Sequence, residues 1–143
     1  MTMTFTTLHN IGIHIKTAIG VVPQQFSGTT AATGSAIATQ GYLSCSIAAV
    51  TGATSGTPDS FTLITTVEDS ADGSTGWAAY KPDNVTAVTN TLTAASTVAE
   101  INVDLGNSRG YIRVVQTPAF VNGTTPKVFG AANIVLASNS IPV

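Results

Sequence analysis

The chain has 143 residues, of which five are basic and seven acidic, so charged side chains make up 8% of it and the net charge is −2. Soluble domains usually have about a quarter of their residues charged, and a free monomer depends on surface charge to stay dispersed. The scattered basic residues exclude the basic surface that nucleic-acid binding needs. We therefore predict one domain, covered by copies of itself or by a partner.

Two further classes of protein are excluded. Cys45 is the single cysteine, so the chain has no internal disulfide and no zinc site built on paired cysteines. The longest apolar run has about four residues, whereas a membrane-spanning helix needs about twenty. The first residues lack the basic stretch and apolar block of a signal peptide. We expect no membrane partner and synthesis in a cytoplasm.

The first 26 residues are rich in large apolar side chains. Isoleucine occupies positions 11, 13 and 15 and alternates with glycine, histidine and lysine, a period of two that predicts a strand. We predict that residues 1–26 are either an arm that packs on a neighbouring subunit or the first strand of the fold. The candidate interface residues are Phe5, Leu8, Ile11, Ile13, Ile15 and Phe26.

Residues 27–40 differ from the rest of the chain because they are small and polar, with Ile37 as the one sizeable apolar residue. A segment of this length without secondary structure is usually functional or flexible. We predict a small-residue loop here, between the N-terminal segment and a body that spans residues 41–143.

The body shows short segments in which apolar and polar residues alternate. Strands are predicted at residues 43–47, 61–68, 101–105, 111–115 and 132–137. Residues 86–99 come closest to helical spacing, but their many threonines lower helix propensity, so we predict a strand or irregular structure. Turn-rich stretches separate these segments. The pattern predicts an all-β protein, a jelly-roll-like antiparallel β-sandwich with an extended N-terminal segment.

Motifs that suggest catalysis or metal binding are incomplete. Residues 106–110 fit the G-x-S-x-G pattern around Ser108, but no Asp, Glu or His follows to complete a triad; we predict a hairpin turn. His9 and His14 would lie on opposite faces of a strand and could not bind one metal ion. We predict no catalytic, cofactor or metal site, and no enzyme activity.

Four residues of the body are assigned structural roles. Asp72 and Gly73 lie in an acidic turn without calcium-loop spacing, where a carboxylate can accept hydrogen bonds from nearby backbone amides. Trp77 is the one tryptophan and is predicted in the core or an interface. Arg113 lies among apolar residues of a predicted strand, so we expect it to pair with a carboxylate or with backbone carbonyls.

Several segments between residues 61 and 136 follow one another in a characteristic order. They are Phe61-Thr-Leu-Ile-Thr-Thr-Val, Glu68-Asp-Ser-Ala-Asp-Gly, Trp77, Ile101-Asn-Val-Asp-Leu, Arg109-Gly-Tyr-Ile-Arg-Val-Val, Thr117-Pro-Ala-Phe, Gly123-Thr-Thr-Pro and Ile134-Val-Leu. This set, which covers somewhat over half of the chain, resembles the head decoration (capsid cement) proteins of tailed bacteriophages.

The resemblance implies a structural virion protein without cofactor or catalytic residues. It would be made in the host cytoplasm and would lie on the outer capsid surface as a homotrimer. There it would bridge subunits of the major capsid protein and stabilise the shell. Two alternatives remain open: another phage structural module, in the tail or a fibre, or a carbohydrate-binding β-sandwich that recognises a host surface. The last would use flat aromatic side chains such as Trp77, Tyr80 and Tyr42.

Overall fold

The described part of the chain contains ten strands and one short 3-10 helix. The structure is a computed structural model in which residues 11–138 are described. The 3-10 helix spans Ile11–Ile13. The strands are β1 (Ile15–Ser27), β2 (Ala32–Thr33), β3 (Ile37–Ala38), β4 (Ser44–Ser55), β5 (Ser60–Ser70), β6 (Ala78–Ala79), β7 (Thr89–Leu92), β8 (Val98–Asp104), β9 (Tyr111–Val121) and β10 (Lys127–Ala137). No helix in this part of the chain is long and apolar enough to cross a membrane.

The strands form two antiparallel sheets that face each other. Sheet A has the order β1-β10-β4-β8. In sheet B, β9 pairs with β5; β2 and β3 pair with the outer side of β9, and β6 and β7 with the outer side of β5. The chain crosses between the sheets repeatedly, as in a jelly roll. The predicted fold class, an antiparallel β-sandwich of the jelly-roll kind, is confirmed.

The core lies between the sheets and follows from alternation along the long strands. In β4, Cys45, Ile47 and Ala49 are buried, while the residues between them lie on the other side of the sheet. In β5 the same alternation buries Phe61 and Leu63. Successive side chains of a strand point to opposite faces, so a period of two gives each sheet one inner and one outer face.

The N-terminal segment divides at Ile15. From there on it is a strand of the sandwich, since β1 pairs with β10 from Ile15 opposite Ala137 to Ser27 opposite Lys127. The strand predicted at residues 11–13 is wrong: Ile11–Ile13 form a 3-10 turn closed by the His14 amide, which donates to the Ile11 carbonyl at 3.0 Å. The ladder with β10 begins only at Ile15, and no strand within residues 11–138 pairs with the upstream alternation.

Residues 27–40 contain two short strands where we predicted a loop. β2 and β3 supply the outer partners that β9 needs, and the Gly34 amide between them donates to the Val114 carbonyl at 2.8 Å. Ile37 packs against the core. A Cβ at Gly34 would overlap the carbonyl of Gly20 in β1. The small residues of this segment therefore allow it to lie close against the sandwich.

Both edges of sheet A are partly protected against strand addition. At the β1 edge, Pro23 lacks an amide hydrogen, and the register with β10 shifts between Ile19 and Gln24. At the β8 edge, the Tyr80 hydroxyl donates to the carbonyl of Asp104 at 2.6 Å, and residues 82–89 lie beside Asn102. Prolines, bulges and covering loops are the usual protections of an edge strand. These features oppose the pairing of a further strand with part of each edge of sheet A.

Candidate functional site

Potential catalytic groups are separated or already hydrogen-bonded. Within residues 11–138, no three His, Cys, Asp or Glu side chains cluster so as to hold a metal ion. Ser108 lies between β8 of sheet A and β9 of sheet B, so the predicted hairpin turn is instead a crossover between sheets. Its hydroxyl lies 3.0 Å from that of Thr39 and accepts the Gly110 amide hydrogen at 3.3 Å. These contacts give Ser108 a structural role.

Cys45 is buried in the inner face of β4. Burial raises the pKa of its thiol to about 11 because the charged thiolate is disfavoured away from water. The thiol therefore stays protonated near neutral pH, and a protonated thiol is a poor nucleophile and metal ligand.

The outer face of sheet B is occupied by an ion pair and a tryptophan. Arg113 in β9 lies opposite Glu68 in β5, and its Nε donates to Glu68 Oε2 at 2.6 Å. The Arg113 guanidinium carbon lies 4.3 Å from the centre of the Trp77 ring, a cation–π contact. The predicted carboxylate partner of Arg113 is thus present. Trp77 is half-buried on the surface of its own sheet.

The turn that brings Trp77 to this face is fixed by Asp72. Its carboxylate accepts the Thr75 hydroxyl at 2.7 Å and the backbone amides of Thr75 and Ser74 at 2.7 and 2.8 Å. These bonds, with a fourth from the Ser70 hydroxyl, hold the pKa of Asp72 well below its usual range, because they favour the charged form. Asp72 therefore lies at the centre of the hydrogen bonds that close this turn.

Gly73 permits the same turn to lie against β9. Its φ is +73°, in the left-handed region that favours glycine. A Cβ there would come within 2.9 Å of the Tyr111 ring. At the base of the turn, Arg109 Nη2 donates to Asp69 Oδ1 at 2.9 Å and to the Gly76 carbonyl at 2.9 Å. Residues 69–77 are therefore fastened across one end of sheet B.

The aromatic residues considered for carbohydrate binding do not form one platform. Tyr80 is buried, with 2% of its surface exposed, and its hydroxyl is bonded to the Asp104 carbonyl. Tyr42 is half-buried and packs against the core. One face of the Trp77 ring is covered by Arg113. A flat ligand would therefore meet at most one side chain of the three.

The outer face of sheet A is the candidate interaction site. We define it by the side chains that the strand register places on one side: odd-numbered residues 15–19 of β1 and 129–137 of β10, and even-numbered residues 44–50 of β4 and 98–104 of β8. Its charged residues, Glu100 and Asp104, both lie on β8 at one margin. Ile19, Val98 and Phe129 are each at least half exposed, at 56%, 65% and 50%.

Small side chains leave the centre of this face shallow. Ala48 lies between Asn133 and Glu100 in one row across the sheet, and Ser46 lies between Val135 and Asn102 in the next. Shallow depressions run over these rows because the side chains are short. The result is a mostly apolar surface with its two acids on β8 at one margin, and an apolar surface of this kind marks a candidate interaction site.

A second apolar surface lies where the ends of the described chain meet. Ile11, Ile13 and Leu43 are exposed there, at 60%, 43% and 55%. The strand ends are joined by backbone hydrogen bonds from Leu43 to Ala137 and from Ser138 to His14. We call Ile11, Ile13 and Leu43 the terminal patch.

The predicted interface residues lie in different environments in the structure. Ile11 and Ile13 are exposed in the terminal patch, and Ile15 is half-buried on the outer face of sheet A. The prediction for Phe26 is corrected: it is 3% exposed and belongs to the core, because β1 folds onto its own sheet. Phe5 and Leu8 lie outside the described residues.

Sequence reasoning did not identify the outer face of sheet A. In β4 both sets of alternating residues are small or apolar, Cys45, Ile47 and Ala49 on one side and Ser46 and Ala48 on the other. A signal was nevertheless present: neither set contains a charged residue. A strand with one solvent-exposed face usually carries polar or charged residues on that face.

Comparisons with known proteins leave the function open. No protein-family model and no curated protein matches the chain. Among solved structures, it is similar to the N-terminal endo-1,4-beta-D-xylanase 10B of Clostridium thermocellum, CBM22-1–GH10 modules complexed with xylohexaose. The two are 10% identical with a TM-score of 0.33, over 92% of this chain and 27% of that chain. The chain thus spans about a quarter of that protein, and a likeness this weak carries no argument about function.

Proposed function

We propose that this chain is a structural subunit that binds the outer surface of an assembled protein shell, as the head decoration proteins of tailed bacteriophages do. Its action is mechanical. Binding only the assembled shell would stabilise that state by mass action, and repetition over a symmetric surface would add avidity to each modest contact.

One observation carries the proposal: apolar side chains remain exposed on a chain with very little charge. The terminal patch and the outer face of sheet A both expose large apolar side chains, while 8% of all residues are charged. Apolar surfaces of this kind mark interaction sites. The segments that resemble decoration proteins include parts of β5, β8, β9 and β10.

The proposal assigns shell binding to the terminal patch. Ile11 and Ile13 lie directly after residues 1–10, which include Phe5 and Leu8. Ile11 and Ile13 are exposed at one end of the sandwich, and the preceding ten residues add further apolar side chains to this part of the sequence. The resemblance implies a homotrimer, with the major capsid protein as the partner.

The test is co-sedimentation of the purified full chain with expanded, DNA-free heads of tailed bacteriophages, compared with unexpanded heads. We expect the chain to pellet with expanded heads and to raise their melting temperature. An Ile11→Asp, Ile13→Asp variant should bind about tenfold more weakly or worse, since apolar contacts at the centre of an interface dominate its affinity.

The matched control is Val85→Asp, which changes another exposed apolar residue, 75% exposed in the loop between β6 and β7. It should bind heads like the original chain. A chain that stays in the supernatant with every head preparation would overturn the proposal. Glycan binding that is lost on Trp77→Ala would instead support the carbohydrate-binding alternative.

A further inference from the structure

We infer that the interior of the sandwich contains a binding site for one water molecule, formed by Gln116, Thr65 and Asn90 on the inner face of sheet B. The two amide oxygens recognise the water as a hydrogen-bond donor, and the threonine hydroxyl recognises it as an acceptor. The inference does not rest on the proposed function, because it concerns the interior of a single chain.

The three side chains lie in one row across sheet B. Thr65 of β5 is paired with Gln116 of β9 on one side and with Asn90 of β7 on the other. Residues opposite each other in an antiparallel sheet point to the same face. Thr65 and Gln116 are both 0% exposed, whereas Asn90 is half-buried on an outer strand of the sheet. The row therefore runs from the middle of the core to its rim.

Two acceptor atoms of this row have no hydrogen-bond partner among the described residues. They are Gln116 Oε1 and Asn90 Oδ1, and both atoms are buried. The orientation of the Gln116 amide is fixed by its Nε2, which donates to the Ala131 carbonyl at 3.1 Å, because an amide oxygen in that place would have no hydrogen to donate. A buried acceptor without a donor is costly, and ordered water is the usual donor to such groups.

Thr65 supplies the third contact of the site. Its hydroxyl oxygen accepts a hydrogen from Gln116 Nε2 at 3.2 Å, and its own hydroxyl hydrogen is bonded to no acceptor within residues 11–138. A water molecule would donate one hydrogen to Gln116 Oε1 and the other to Asn90 Oδ1, and would accept the hydrogen of the Thr65 hydroxyl. Three hydrogen bonds are typical of a buried water, so one molecule satisfies all three groups.

The opposite sheet leaves room for a water at this level. Gln116 crosses the core to the carbonyl of Ala131 in sheet A. Directly beside it, the inner face of sheet A carries a row of alanines, Ala132, Ala49 and Ala99. Packed sheets lie about 10 Å apart, and alanine side chains extend over little of that distance. The site is therefore lined by polar groups on one sheet and by short side chains on the other.

The first experiment is a high-resolution crystal structure of the full chain. We expect a solvent oxygen at about 2.7–3.2 Å from Gln116 Oε1 and within hydrogen-bond distance of Thr65 Oγ1 and Asn90 Oδ1. In solution, the side-chain amide hydrogens of Gln116 and Asn90 should show a nuclear Overhauser effect from water, with the sign that indicates a long-lived bound molecule.

The second experiment removes one hydroxyl at a time. Thr65→Val keeps the shape of the side chain and should shorten the residence time of the water about tenfold, since one of its hydrogen bonds is lost. Thr51→Val is the matched control, because the Thr51 hydroxyl is also buried but already donates to the Ala94 carbonyl at 2.6 Å. It should leave the water signal unchanged.

Gln116→Met removes the amide oxygen while it keeps the volume of the side chain. The crystal structure of this variant should lack the solvent oxygen, and the water signal at Asn90 should be lost, because a thioether is a weak acceptor. Circular dichroism establishes that each variant is folded.

Each outcome decides the inference. A solvent oxygen that contacts all three side chains and is lost in Gln116→Met would support it. Electron density without an ordered oxygen at this position, or a water signal that Gln116→Met leaves unchanged, would overturn it. A peak with the short contacts and the larger number of oxygen ligands of a metal cation would also overturn it, as would a protein donor bonded to Gln116 Oε1.

Discussion

One end of the outer face of sheet B is covered by a turn of the chain, whereas no described segment lies over the outer face of sheet A. Over sheet B, residues 69–77 fold back and place Trp77 on Arg113, which is bonded to Glu68. Over sheet A no comparable segment lies within residues 11–138, and its centre consists of Ser46, Ala48 and their neighbours.

The difference shows two ways of completing a sandwich. At one end of sheet B, the outer face carries an ion pair and hydrogen bonds that depend on one turn of the same chain. Sheet A keeps short uncharged side chains that form few specific contacts of their own and can pack against another surface. Substitutions at the covered end of sheet B should therefore change the stability of the fold more than substitutions on the outer face of sheet A.

The largest effect on the subunit is expected at Gln116, which links the two sheets from the inside. Its Nε2 donates to the Ala131 carbonyl of sheet A at 3.1 Å and to the Thr65 hydroxyl at 3.2 Å. Gln116→Ala should lower the free energy of unfolding in urea by about 3 kcal/mol, because it leaves a cavity and an unpaired buried carbonyl.

Gln116→Met is the matched control, since it keeps the volume and removes Gln116 Oε1, which has no hydrogen-bond partner among the described residues. It should cost about 1 kcal/mol. Equal losses for the two variants would mean that packing volume does not matter at this position.

A smaller effect is expected where sheet B is covered. Arg113→Ala removes the partner of Glu68 and the contact with Trp77, and should cost about 1–2 kcal/mol in urea unfolding. Trp77 is the one tryptophan, so its fluorescence emission should shift to the red as water reaches the ring. Arg113→Lys keeps the charge but not the stacked planar group, and we expect an intermediate loss; full stability in either variant would contradict the role of this cluster.

Acid should weaken the turn over sheet B. The pKa of Asp72 is held below its usual range by the hydrogen bonds from Thr75, Ser74 and Ser70. A carboxylate with a lowered folded-state pKa stabilises the fold above its ordinary value near 4, and this contribution is lost as the pH falls below it. Asp72→Asn should flatten the fall in melting temperature below about pH 4.

Asp83 offers a comparison in the loop between β6 and β7, because backbone amides of Thr86 and Val85 lower its pKa in the same way. Asp83→Asn should flatten the acid response without changing Trp77 fluorescence. An unchanged acid response in both variants would show that these carboxylates do not govern it.

The smallest effect is expected on the outer face of sheet A. Ser46→Ala and Ala48→Ser should each change the free energy of unfolding by less than about 0.5 kcal/mol, because surface substitutions away from specific contacts do little. Urea unfolding at low protein concentration measures this. A larger loss would show that the face contributes to the stability of the single subunit.

Much of the fold could be predicted from local patterns. The alternation around Ile47, Leu63 and Val103 places buried residues correctly, because a sheet with one inner face imposes a period of two. The turn at Asp72 was predictable too, since its hydrogen bonds join residues within five positions of one another. The 3-10 turn at Ile11–Ile13 and strands β2 and β3 were not, because each depends on whether a distant strand offers a free edge.

The sequence by itself determined the class of the protein: low charge, threonine-rich alternating segments and turn signals specify a β-sandwich with little charge to keep it dispersed. Only the tertiary structure decided which alternating residues face outward together. Ala48, Asn133 and Glu100 are far apart in the chain and become one row because β4 pairs with β10 and β8. Register depends on contacts between distant strands, so the bare face of sheet A exists only once the sandwich has closed.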